Sequence, residues 1–439
     1  MNQQNHNWPT LANIYEKITQ IQFKKGSYQD VHNSLEKLLE ILLATKGVNS
    51  LEVANCNERF GKLYIKVGQY EKAVSSYSKA LVIKQKNSVE LSTTFRGLAL
   101  AYNEKGEYIK AGEMIQKSLE ITSNVETYQI LAKINYNLGD YEAAISNLAT
   151  SIDLYYTSSP ISDRIYLAQL HNDLAFGYSY KGGIEVSYQY YQKALSLLAN
   201  KNRTNYPETA DAYLGIGQCH YLKGRPLDAL ESYKKSLKLY KQFFAPNHPC
   251  FVTCYNFMGL AYGQIRNFQD GFYYLEEGLK VALKNFKELH LSVVNSLNSI
   301  GMLLYQLKIQ DQALVNFQKA ILILKKLFPN GHPLFMTLYN NAAFSTSSQT
   351  DKKYAFQYLL NSIKLCLKYY GNSEAKTGLL CERIGTFFLG TNSHDQAVQM
   401  LQKALILQDH PIKKHKQIHQ QILYAEKKQT LQNLCQEQI

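Results

Sequence analysis

Small and bulky apolar residues follow one another along this chain in a recurring order. A small residue comes first, a Tyr or similar bulky group stands three positions later, and a Gly-x-Tyr turn follows. An Ala lies three after that, then another aromatic and another small residue. Spacings of three and four bring side chains to one face of an α-helix, so each half of the unit predicts a helix and the Gly-x-Tyr step predicts the turn between them. The clearest copy is Phe60, Gly61, Tyr64, Gly68, Tyr70, Ala73, Tyr77, Ala80. Further copies run through Leu98, Ala99, Tyr102, Gly106, Tyr108, Ala111 and through Leu131, Ala132, Gly139, Tyr141, Ala144, Leu148. From Ser187 onward the period locks: Ser187, Ala229, Gly271, Ala313, Ala355 and Ala397 succeed one another in steps of 42 residues. A bulky residue keeps register four positions later (Tyr191, Tyr233, Leu275, Phe317, Leu401), with Tyr358 one short. A weaker copy, Gly26, Tyr28 and Val31, lies 42 before Gly68, Tyr70 and Ala73.

The physical reason for this order is close approach. Two antiparallel helices come together only where side chains are small, and bulky groups fill the space between those crossings. Glycine supplies the backbone freedom to end the first helix and turn into the second. One hairpin cannot bury its apolar face alone, so neighbours must stack on it. The reading is all-α: about ten helix-turn-helix repeats followed by a capping helix. A degenerate repeat is expected over 1–47, repeats of mixed 34 to 42 spacing over 48–160, six 42-residue repeats over 161–410, and a basic C-terminal cap over 411–439. The cap pattern runs from about Ile412 to Leu434, with Ile418, Ile422, Leu423, Leu431 and Leu434 apolar.

These residues resemble tetratricopeptide repeats, in which Leu-Gly, a Tyr three later and an Ala with an aromatic four beyond form the pattern. The resemblance covers nearly the whole chain. The 42-residue step, with Pro-Asn-His-Pro at 246–249, Pro-Asn-Gly-His-Pro at 329–333 and Tyr-Asn-Asn-Ala-Ala at 339–343, is similar to the kinesin-light-chain-like subgroup. It implies a right-handed α-α superhelix, a longer second helix with a structured connection, first helices lining a concave groove, and use as a cargo adaptor. Chaperone-binding members of the family hold a terminal carboxylate with Lys, Arg and Asn from three adjacent repeats. Arg96, Gln129 and Asn172 stand at the corresponding places here, so that clamp is not assembled.

Composition narrows the picture further. The chain has 439 residues, 45% of them hydrophobic and 19% charged, which argues for folding, and only 9 prolines, which favours helix over sheet. The N-terminal residues carry neither the basic start nor the apolar core of a secretory signal, and no run of about 18 apolar residues spans a bilayer, so a soluble, cytoplasmic protein is expected, with a cytoskeletal or ciliary association open. The 7 cysteines are scattered without a CxxC pair, which signals neither a zinc knuckle nor a disulfide framework. A net charge of +13 favours acidic partners weakly, but the lysines are dispersed and no dense basic stripe marks a nucleic-acid surface. No phosphate loop, HExxH helix or GxSxG elbow is present, so no enzyme, cofactor or metal is expected. His248, His290 and His332 recur at 42 residues in the connections. About one repeat apart, roughly 10 Å, they cannot share an ion, and they read as loop caps. His415 and His419 stand at i,i+4 in the lysine-rich tail and read as a solvated face.

Two registers are the candidate contacts of the groove. Asn172, Asn256, Asn298 and Asn340 recur at one helical position, where a carboxamide could pair with the main chain of an extended peptide whatever its sequence. Phe176, Leu260, Met302 and Phe344 lie four beyond, with Tyr221 and Tyr305 further along the stripe. The alternative is that the asparagines bridge adjacent helices and the apolar residues pack within the array. The function expected is a non-catalytic scaffold or adaptor that binds partner peptides in its concave groove. A structural subunit of a large cytoskeletal, ciliary or transport assembly is the alternative.

Overall fold

A computed structural model describes residues 8–25, 28–87, 89–158, 163–199, 206–286, 288–329, 331–346, 352–370, 375–390, 394–407 and 418–428. Among them there is no strand, and consecutive helices pack in pairs. The pairs are α1 (Trp8–Lys25) with α2 (Tyr28–Lys46), α3 (Leu51–Lys66) with α4 (Tyr70–Lys86), α5 (Ser92–Lys105) with α6 (Tyr108–Ile121), and α7 (Val125–Leu138) with α8 (Tyr141–Ser158). They continue as α9 (Arg164–Lys181) with α10 (Ile184–Leu198), α11 (Pro207–Leu222) with α12 (Pro226–Phe243), and α13 (Cys250–Gln264) with α14 (Phe268–Phe286). The last are α15 (Leu291–Gln306) with α16 (Gln310–Leu327), α17 (Leu334–Phe344) with α18 (Lys352–Tyr370), and α19 (Ala375–Gly390) with α20 (His394–Leu407). A further helix, α21, covers 418–428. The chain forms two compact units, Met1–Ser296 and Leu297–Ile439, which divide within α15.

Local chemistry sets the helix ends. Ser50, Asn124 and Asp163 each accept a hydrogen bond from the backbone N–H three residues on, satisfying one of the donors that a helix start leaves open. Pro207 and Pro226 open α11 and α12, where a missing N–H does no harm. First helices end in a left-handed residue, as at Gly106 (φ 92°) and Gly139 (φ 85°). In the locked repeats this position is Gly182, Gly224, then Arg266 (φ 61°) and Lys308 (φ 62°), at steps of 42. The turn is therefore imposed by the packing of the pair even where the sequence no longer supplies glycine.

The alternation of small and bulky residues is a seating of rings on glycines. The Tyr77 ring lies against Gly61 of its own pair and Gly97 of the next, so that a Cβ added at either would come within 2.4 and 2.1 Å of it. Tyr233 sits on Gly217, Phe317 on Gly301 and Leu401 on Gly385 in the same way. The alanines of the 42-residue series, Ala229, Ala313, Ala355 and Ala397, are wholly buried at the helix crossings. On α21, Ile418 and Ile422 pack on Leu401, and Leu423 and Tyr424 are exposed. Leu431, Leu434 and His415 lie outside the described residues.

In the 42-residue repeats the second helices α12, α14, α16 and α18 reach 18 to 19 residues, against 15 in α10 and 14 in α20, and the connections after α12, α14 and α16 are built. His248, His290 and His332 each accept, through Nδ1, the backbone N–H two residues ahead (3.2, 3.1 and 3.0 Å). Each also packs on the Phe four before it: Phe244, Phe286 and Phe328. The expected capping role is what these contacts perform.

Two predictions follow from the seating of the pairs. Gly217→Ala places a methyl carbon 2.4 Å from the Tyr233 ring and lowers stability by about 2 kcal/mol, whereas Gly112→Ala, mid-helix in α6 with open space around it, raises it by up to about 1 kcal/mol. Denaturant titration of both variants checks the opposite signs. Arg266→Gly and Lys308→Gly each remove a left-handed side chain and raise stability by roughly 1 kcal/mol, read by the same method.

Candidate functional site

The asparagine row lies in the wall between first helices. Asn172, 6% exposed, donates to the Glu208 carbonyl at the start of α11 (2.8 Å). Asn256, 4% exposed, donates to Ser296 Oγ on α15 (3.0 Å), and its Oδ1 faces Gly278, where a Cβ would stand 2.8 Å away. In the second unit, Asn298 accepts from Asn341 (2.9 Å) and its amide lies against the Met302 sulfur, and Asn340 is 4% exposed. Three of the four carboxamides thus bond from one first helix to the next. Phe176, Leu260, Met302, Phe344 and Tyr221 are half-buried, and Tyr305 is 40% exposed. Phe176 packs in an aromatic cluster with Tyr136 (4.6 Å) and Tyr180 (5.1 Å), continued by Tyr141. Asn172, Phe176, Tyr221, Asn256 and Leu260 belong to the first unit and the other five to the second.

A different set of side chains converges on the inner face of the first unit. Asn137 of α7 donates to Asn103 of α5 (2.9 Å), whose own amide donates to Glu104 (3.3 Å). Gln129 of α7 donates to Asp173 of α9 (2.7 Å), accepts from Tyr166 (3.0 Å), and shares Asp173 with Lys133, whose Nζ is 3.6 Å away. Asp211 of α11 accepts from the Tyr240 hydroxyl at 2.5 Å. These groups feel one another. Enclosure by protein pushes the Glu104 carboxyl up, with Lys133 partly offsetting it. For Lys133 enclosure opposes the charge, yet Asp173, Glu104 and Asp211 together raise it. Asp211 touches solvent, but the surrounding protein pushes its carboxyl up to about 6; Glu208 and Asp173 add to this, while the Tyr240 hydrogen bond and Lys66 of α3 pull it down. Charges from α3, α5, α7, α9 and α11 therefore share one lumen.

The lumen is enclosed because the coil of the first unit returns on itself. The Nε2 of His248 lies 2.7 Å from the Lys66 carbonyl oxygen, 182 residues away in sequence. Phe244 stacks on Tyr28 (6.1 Å) and Phe286 on Tyr70 (5.7 Å). The connections after α12 and α14 thus rest on the turns after α1, α3 and α5. Sequence reasoning passed over the lumen residues because no residue type repeats at their positions. Each of these first helices carries other charged residues as well, such as Arg96, Glu126, Arg164 and Glu208, so the charges of Glu104, Lys133, Asp173 and Asp211 did not stand out.

Among the described residues there is no group of three His, Cys, Asp or Glu able to hold a metal ion, and no helix long and apolar enough to cross a membrane. Burial pushes the thiols of Cys56 and Cys254 up to about 12, far from reactive thiolates.

Residues 166–242 match a tetratricopeptide-repeat model, as do 54–87 and 125–157 with a second and 293–334 with a third. Kinesin light chain-related protein 3 of Arabidopsis thaliana is 23% identical over 262 residues, covering 55% of this chain and 39% of that protein. Related protein 2 of the same plant is 23% identical over 280 residues, covering 62% and 36%. The chain thus spans under two fifths of the length of these relatives. Among solved structures, a Rap protein complexed with competence and sporulation factor superposes with a TM-score of 0.60 over 86% of this chain and 100% of that one, at 10% identity. A monomeric IFIT1 mutant with Gppp-AAAA gives 0.50 over 95% and 89%, at 14% identity. Both share the fold.

The electrostatics of this region give a pH dependence. Burial pushes the imidazoles of His171, His248 and His290 down to about 4. Between pH 6.5 and 4 the unfolded chain takes up protons that the folded chain refuses, so the stability these three contribute is full above 6.5 and is lost as pH falls through that window. Asp211 acts oppositely: its folded value of about 6 exceeds the unfolded value, so the folded chain gains stability as pH falls below 6. Asp211→Asn removes this opposing contribution, and its melting temperature falls more steeply between pH 7 and pH 5 than that of the parent. Parallel curves would show that Asp211 titrates as an ordinary surface carboxyl.

Proposed function

We propose, for a chain built of tetratricopeptide repeats of the kinesin-light-chain-like type, that it is a protein-interaction scaffold whose first unit holds an extended segment of a partner along its lumen. The observation that carries this reading is the convergence of Glu104, Lys133, Asp173 and Asp211, with the carboxamides of Asn103, Gln129 and Asn137, from consecutive first helices onto one inner face. A helix interior facing its own pair would bury apolar groups; on this face Glu104, Lys133, Asp173 and Asn137 are half-buried and Asp211 is exposed, while Asn103 and Gln129 are buried beneath them. Carboxamides and carboxylates offer an extended main chain both acceptors and donors, and the acidic majority favours basic side chains beside it. The chain's net charge of +13 is then a property of the outer surface, and the weak expectation of acidic partners applies there.

In this reading the asparagine row contributes indirectly. Asn172 and Asn256 fix the spacing of neighbouring first helices and so the pitch at which lumen groups are presented, and the half-buried Phe176, Leu260 and Tyr221 are the apolar contacts beside the charged strip. The likeness to kinesin light chain-related proteins favours one second reading, a stoichiometric subunit of a cytoplasmic transport or cytoskeletal assembly. Native mass spectrometry of the protein from its own cells distinguishes a salt-resistant complex from exchanging clients.

The lumen is tested by charge reversal at an open position. Asp211→Arg lowers recovery of cross-linked partners about tenfold, the loss expected of one charged contact worth about 1.4 kcal/mol. The paired control, Lys238→Glu with Lys241→Glu on the exposed face of α12, leaves recovery unchanged. Equal recovery with Asp211→Arg at an unchanged melting temperature would remove the lumen from the binding surface.

A further inference from the structure

The left-handed turns of the first unit are of two kinds. At Gly182 and Gly224 nothing lies within 4 Å of where a Cβ would stand. Gly68 and Gly106 are covered: a Cβ at Gly68 would be 2.5 Å from Pro249 Cδ, and one at Gly106 would be 2.9 Å from His290 Cδ2. The covering residues come from the connections after α12 and α14, four repeats further along, and the two connections are built alike. In each a Phe ring lies on the His ring, Phe244 on His248 at 4.0 Å and Phe286 on His290 at 3.6 Å. In each, Nδ1 accepts the backbone N–H two residues ahead, which leaves the proton of the neutral ring on Nε2.

That Nε2–H faces a carbonyl that a helix cannot satisfy by itself. His248 donates to the Lys66 oxygen at the end of α3 (2.7 Å), and His290 lies over the turn after α5, where the nearby Glu104 carbonyl offsets part of the burial that lowers its imidazole. Tyr28 and Tyr70, which open the second helices α2 and α4, stack on the same two Phe rings. Contacts between neighbouring pairs run along whole helix faces. These contacts, in contrast, join a connection to a turn, at points.

The geometry points to a latch: His248 with Pro249, and His290, close the coil of the first unit on the glycine turns at 68 and 106, and the closure separates without unfolding any repeat. Shut, it holds the lumen as a ring that admits a segment along its axis; released, it opens the wall sideways. As a gate for partner segments the latch rests on the lumen reading above. As a closure of the coil it stands apart from that reading, and the experiment keeps the two apart.

The test uses the full chain with a pair of spin labels introduced by non-natural amino acids at the exposed positions Glu71 and Lys241, on α4 and α12. Gly68→Asn with Gly106→Asn keeps a residue type tolerant of left-handed backbone but puts a Cβ into both seats. The label-to-label distance lengthens and its distribution broadens, while helix content by circular dichroism stays at the parent's value. Gly182→Asn with Gly224→Asn, at the open turns, leaves the distance unchanged. Should the covered-turn variant fail to fold, His248→Asn with His290→Asn decides by the same distance, since Asn retains an acceptor for the cap and loses the Nε2 donor. An unchanged distance in a folded variant, or equal lengthening in the open-turn control, overturns the latch. A lengthened distance with unaltered partner recovery upholds the closure and removes its role as a gate.

Discussion

The structure depends on one recurring contact: a bulky side chain of a second helix, in α4, α10, α12, α14, α16 and α20, resting on a glycine of a first helix. Tyr77 lies between Gly61 and Gly97, and a single methyl at either glycine would overlap its ring. Such seating fixes the distance between helices and leaves each pair with an apolar face that the next pair must cover. Stacking is then obligatory, and the ends need a different solution. At the C-terminal end α21 supplies it, burying Ile418 and Ile422 against Leu401.

Because first helices approach so closely, their remaining faces turn to the inside of the coil, where there is no second layer to pack on. Polar groups accumulate there, and their environment is peculiar. Asp211 is open to water yet crowded by protein, and its carboxyl rises accordingly, while Glu104 and Lys133 hold each other's charge in the same space. These groups bond across neighbouring helices, Asn137 to Asn103, Gln129 to Asp173 and Tyr240 to Asp211, while Asp211 keeps an edge open to water. Asn172 and Asn256 likewise bond to the next first helix, but they are buried in the wall.

The histidines of the connections join these two themes. A ring stacked on Phe and accepting a backbone N–H at Nδ1 is a local device, complete within seven residues, and it recurs at His248, His290 and His332. At His248 the free nitrogen then turns a loop cap into a contact with a repeat far behind it, and at His290 the ring does so by lying over Gly106. The curvature of the stack delivers the partner carbonyl.

Much of the fold was legible in the sequence because its determinants are local and repeated. The 42-residue series of small residues, the rings four positions later and the Gly-x-Tyr turns each express a helix face or a turn, and a face that must be buried in every repeat leaves the same residue type each time. The reading stopped where repetition stopped being informative. Asn172, Asn256 and Asn298 each bond to a neighbouring first helix, and a row of carboxamides serves a wall or a groove equally well, so the periodicity of the four asparagines could not tell one from the other. Glu104, Lys133, Asp173 and Asp211 each stand at a different register from the turn glycine of their own repeat, and nothing in their spacing marks them. Which side chains share the lumen, and that Lys66 meets His248, were decided by tertiary structure alone: they depend on the summed small rotations of successive pairs, a quantity that no single repeat encodes.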